Sequence, residues 1–143
     1  MDTLYETDFY TWVNRQAQHL RAGAYDRIDV YNLIEELESM GVREKKELRN
    51  RLRVLLMHLL KWTYQPERRT RSWELTIGHQ RDEIAVHLED NPGLKPLIPE
   101  TLATAYRLAR SEAARETGKP QNQFPSESPW TFEQTIDPDY WPD

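Results

Sequence analysis

The sequence predicts an all-α protein: a single helical bundle of about five helices, closed by a C-terminal wrap rich in proline and aromatic residues. Three observations predict it. Apolar residues recur at helical spacing of about 3.6 along most of the chain, and alternating apolar runs are absent. Glycine is scarce, at five in 143 residues. Five of the nine prolines fall in the last 25 residues, where helix gives way to extended chain. The length suits one domain, read as a helical bundle over 1–118 with 119–143 packed on it as an extension.

The first helix is expected from Asp8 to Arg21, capped by Thr7, with an apolar seam of Phe9, Trp12, Val13, Ala17 and Leu20. Gln16 falls on that seam, and Gly23 ends the helix where the chain must turn left-handed. Asp29 caps a second helix, Val30 to Met40, built on Val30, Leu33, Ile34 and Leu37. Gly41 then stops or kinks the chain before a third helix, Arg43 to Tyr64.

That third helix changes character. Its first half is basic and amphipathic, whereas seven of the nine residues from Val54 to Trp62 are apolar. A helix apolar on every side is a buried one, which makes His58 and Lys61 unusual there. Pro66 ends it, and Ser72 is expected to cap a fourth helix from Trp73 to about Glu89, with Ile77, Gln80, Ile84 and Leu88 inward. Asn91-Pro92-Gly93 breaks the chain into one helical turn, and a fifth helix runs from near Pro99 to before Gly118. Thr131 and Gln134 have capping-box spacing for a short helix at Phe132–Ile136. Phe124, Trp130, Tyr140 and Trp141 make the C-terminal segment too aromatic for a free tail.

Charge is distributed in blocks. The net −5 divides into −5 over 1–42, +7 over 43–81 and −7 over 82–143. Acidic helices packed beside the basic one would neutralise it; an exposed basic strip would instead meet an anionic partner. The absence of cysteine excludes disulfides, thiolate metal sites and cysteine nucleophiles. The acidic opening lacks the basic and apolar regions of a signal peptide, no apolar run suits a bilayer, and a cytoplasmic protein is expected.

Few constellations could carry chemistry. His79, Glu83 and His87 follow one another at four-residue steps, but the outer pair lies about 12 Å apart along a helix, so no metal and no cofactor are expected. No serine stands in a nucleophile turn, and no glycine-rich loop cradles phosphate. His58 and Glu36, from neighbouring helices, could form a buried acid–base pair or a pair that only fixes register. Lys61, Trp62, Gln65, Arg68, Arg69, Arg71, Ser72, Trp73, Gln80 and Arg81 join a turn to two helix ends. Arginines beside tryptophans can stack on bases or grip phosphates, and a helix start at Ser72 would offer free N–H groups.

The run His58-Leu59-Leu60-Lys61-Trp62, with Gln65-Pro66, Arg69, Ser72-Trp73 and Gln80-Arg81, resembles the bacterial family called domain of unknown function 29. So do Asp8-Phe9-Tyr10-x-Trp12, Asn32-Leu33-x-Glu35-Glu36, Glu116-Thr117-Gly118 and Pro129-Trp130. The resemblance covers nearly the whole chain. It implies an all-helical fold and no particular activity. Many relatives carry cysteine before Pro129; this chain has Ser128 there, so a thiol role at that position is closed to it.

The preferred reading is a non-enzymatic interaction module whose Arg/Trp turn meets an acidic protein or a nucleic acid, with no membrane contact. An enzyme using Glu36 and His58 and a helical homo-oligomer or accessory subunit are the alternatives.

Overall fold

The computed structural model describes residues 4–143. Six α-helices follow one another: α1 (Leu4–Thr7), α2 (Phe9–Arg21), α3 (Val30–Tyr64), α4 (Arg71–Asp90), α5 (Ile98–Thr117) and α6 (Phe132–Ile136). Short 3-10 turns stand at Tyr25–Arg27, Pro66–Arg68, Pro92–Leu97 and Gln121–Gln123, and no strand occurs among the described residues. The all-α bundle expected from periodicity is what forms. The chain divides into two compact units, one up to Arg43 and one from Glu44 to Asp143. Residues 119–143 belong to the second unit.

The largest departure is at Gly41. The second and third expected helices are one helix, α3, which passes through Gly41 without a break. A glycine inside a helix costs about 1 kcal/mol against alanine, which a helix continued on both sides can absorb. Two caps also differ. Asp8, not Thr7, caps α2, accepting from Thr11 N at 3.1 Å. Thr70, not Ser72, caps α4, accepting from Trp73 N at 3.2 Å.

In the unit up to Arg43, Gln16 is buried on the α2 seam, as its position requires. Its Oε1 accepts from Asp29 N at 2.7 Å, and the Asp29 carboxylate accepts from the indole of buried Trp12 at 3.0 Å. Asp29 also accepts from Asn32 at the start of α3, so one carboxylate caps a helix and satisfies a buried indole.

In the unit from Glu44, the apolar half of α3 is the core. Leu48, Leu52, Leu55, Leu56, Leu59 and Leu60 are fully enclosed, packed in one cluster with Ile77 and Ile84 of α4 and Ala105, Ala109 and Ala113 of α5. The alanines leave room for close helix approach. The C-terminal segment lies on this core. Phe124 and Trp130 are buried in it, Tyr106 donates to Pro125 O at 2.7 Å, and Arg110 grips Phe124 O. The Thr131–Gln134 capping box forms as expected and starts α6, which packs on α4 and α5.

No helix among the described residues is long and apolar enough to cross a membrane.

Candidate anion site

The basic block is neutralised in part. Along α3, Lys45 pairs with Glu100, Arg51 with Glu47 and Glu83, Arg53 with Glu112, and Lys61 with Glu116. The arginines after the end of α3 are different. Among the described residues, no carboxylate lies within ion-pair distance of Arg68, Arg69, Arg71 or Arg81.

Two of these four enter a cation–indole series. The Pro66–Arg68 turn folds the chain back so that Arg69 lies over the Trp62 ring, 4.6 Å from its centroid, and donates from Nε to Trp62 O at 2.8 Å. The Trp62 ring lies 4.8 Å from that of Trp141. Arg81, on α4, stands 5.4 Å from the Trp141 centroid. Arginine, indole, indole and arginine thus follow one another. Lys61 makes a second cation contact, 4.7 Å over Trp73.

Arg81, grouped by the sequence with the Arg/Trp turn, is 2 % exposed. Its Nε donates to Thr135 O at 2.9 Å, and its Nη2 lies 3.4 Å from Gln134 O. Burial lowers its pKa from the ordinary arginine value, against the pull of Asp137 and Tyr140, but a guanidinium keeps its proton at any physiological pH. Three buried donors along the series have no acceptor: Trp62 Nε1, Arg69 Nη2 and Arg81 Nη1. Buried polar groups are nearly always paired, so three such donors on linked residues are unusual.

The remaining residues of the expected turn are spread. Gln65 is buried, whereas Arg68, Arg71 and Ser72 are exposed. Arg71, Ser72 and Gln80 line an open depression along α4 with Leu75, Thr76 and His79. Gln80 is half-buried and accepts from Arg51 at 3.3 Å. Trp141 is the site residue that sequence reasoning did not place here. Its aromatic character pointed to packing, but nothing local specified Trp62 as its neighbour.

Glu36 and His58 are not brought together. They stand on one helix, 22 positions or about six turns apart, rather than on neighbouring helices. Each has its own partner: Glu36 accepts from the Tyr5 hydroxyl, and His58 Nδ1 meets Val54 O at 2.8 Å. Burial lowers the His58 pKa below 6.5, which keeps the ring neutral among its apolar neighbours.

No curated protein and no solved structure matches this chain. Residues 4–141 match the family described as Domain of unknown function DUF29, which takes in the bundle, the Arg/Trp series and the C-terminal segment alike, and the chain belongs to that family.

Proposed function

We propose that this protein is a non-enzymatic interaction module that receives an anionic group of a partner at the Arg69–Trp62–Trp141–Arg81 series. One observation carries the reading: Trp62 Nε1, Arg69 Nη2 and Arg81 Nη1 are buried donors without acceptors on residues linked by ring contacts. A buried donor left unpaired costs about 1–3 kcal/mol, and more when charged. Carboxylate or phosphate oxygens would remove that cost by accepting from the unpaired buried nitrogen of each guanidinium and from the indole. Exposed Arg68 and Arg71 would draw such a group in from solution.

The test uses two probes, a single-stranded RNA oligonucleotide and a glutamate-rich peptide. At low salt one of them binds, binding weakens as salt rises, and Arg68→Glu with Arg71→Glu abolishes it while the circular dichroism spectrum is unchanged. Failure of both probes with the wild-type chain, or binding that survives the charge reversal, sinks the reading.

A second reading, a helical homo-oligomer, is favoured by a separate feature. In the unit up to Arg43, α2 and the start of α3 leave an apolar groove between Phe9, Val13, Leu20, Leu37 and Met40, all of them exposed. A second copy seated there would bury more than about 1,000 Å² in a stable dimer. A monomer by light scattering at high concentration removes this reading.

A further inference from the structure

We propose that Glu44, Glu47 and His87 form a binding site for one divalent first-row metal ion of the zinc class, tying α3 to α4. Glu44 and Glu47 are one turn apart on α3, and His87 comes from the last turn of α4. One ligand atom from each lies within 4.8 Å of the other two.

The histidine carries the argument. His87 is 8 % exposed and both ring nitrogens face oxygen. Nε2 lies 2.9 Å from the backbone carbonyl oxygen of Glu44, to which it donates. A neutral imidazole has one N–H, so Nδ1 then carries a bare lone pair. That lone pair meets Glu47 Oε2 at 3.0 Å. Two lone pairs held this close call for a positive centre between or beside them, either a second proton on the ring or a metal ion.

The surroundings favour the metal. The residues sit in an open pocket of about 370 Å³, whose lining also includes Glu83 and Asp90. Four carboxylates therefore face one guanidinium, that of Arg51, which lies 3.3 Å from Glu47 and 3.6 Å from Glu83. A single added proton leaves most of that negative charge uncompensated; a dication compensates more of it. Donation from one ring nitrogen to a backbone carbonyl, with the other left for the ion, is the arrangement that orients metal-binding histidines. Ligand atoms around zinc stand roughly 3.3 Å apart. The pair at 3.0 Å is near that spacing, and the half-exposed Glu44 carboxylate, 3.7 Å from Nε2, completes a set whose ligand atoms lie within 4.8 Å of one another. Three protein ligands leave at least one position for water. Reading α4 by itself, with His79, Glu83 and His87 too far apart for one ion, misses this set because two of its members come from α3.

The test is a calorimetric titration of chelator-treated protein with Zn²⁺, repeated with Co²⁺ to read the ligand field by absorbance. One ion binds per chain, protons are released where the ring or a carboxylate held them, and Zn²⁺ raises the unfolding temperature. Glu47→Gln removes a ligand itself and so lowers affinity by at least the roughly 10–100-fold that loss of an outer-shell partner costs. His87→Gln abolishes binding; because His87 is buried, Glu44→Gln and Glu47→Gln, at half-exposed positions, keep the test valid if that variant fails to fold. No saturable uptake, or uptake unchanged in Glu44→Gln and Glu47→Gln, overturns the site.

Discussion

Arg81→Met separates a guanidinium kept for a partner from one kept for the fold. The variant preserves length and removes the charge. It loses the bond to Thr135 O, 2.9 Å long and donated by a cation, worth about 1.5–3 kcal/mol. It also loses the contact over Trp141, worth about 0.5–2 kcal/mol. Against these stands the removal of a charge that is 2 % exposed and has one nitrogen unpaired, and burying an ion costs several kcal/mol. The opposing effects are of similar size, so the net change in stability stays within about 2 kcal/mol of zero. The assay is urea unfolding followed by circular dichroism, with Leu59→Ala as the internal standard, since truncating a fully enclosed leucine costs about 2–5 kcal/mol. Arg81→Met should be the milder variant and yet lose anion binding. A loss of about 4 kcal/mol or more, matching the core truncation, would refute the reasoning and make Arg81 a clamp for the C-terminal segment.

Asp29→Ala removes a helix cap, worth about 1 kcal/mol, and orphans the Trp12 indole, worth about 1–3 kcal/mol, so urea unfolding at neutral pH should show a loss of roughly 2–4 kcal/mol. The hydrogen bond from Asn32, before all else, holds the Asp29 pKa below 3.8; its contribution is therefore present above pH 3.8 and fades as pH falls through the lower folded value. For His58 the folded pKa lies below 6.5 because of burial, so the unfolded chain takes up the proton first. Stability should be full above pH 6.5 and decline as pH falls below it, and His58→Gln should flatten the unfolding temperature between about pH 7.5 and 5.5. An equally steep decline in that variant assigns the effect to other groups.

What the sequence discloses here is what is local. The Thr131–Gln134 capping box, the left-handed Gly23 and the all-round apolar stretch of α3 each depend on a few neighbouring residues, and each forms as read. Gln16 was legible because a polar residue on an apolar seam must find a partner, and Asp29 N is that partner. At Gly41 local propensity favours a break by only about 1 kcal/mol, less than the helix on either side can supply, and the helix continues. Ser72 and Thr70 are equally good caps by composition; the turn at Pro66–Arg68 decides between them. The candidate site was half legible. Arg69 beside Trp62 could be suspected from adjacency across one turn, but Trp141 meets them from the far end of the chain, and Arg81 is drawn under the carbonyls of α6. Such contacts follow from packing, which no spacing rule encodes.

The central claim is that the unpaired donors of the Arg/Trp series await an anion. The indole N–H of Trp62 reports on it directly, as a separate signal in a ¹H–¹⁵N correlation spectrum identified by Trp62→Phe. The signal should shift and saturate on titration with inorganic phosphate, the RNA oligonucleotide or the glutamate-rich peptide, and should stay fixed in Arg81→Met. If none of the three moves it in the wild-type chain, the donors are not waiting for an anion, and the account of the site is contradicted.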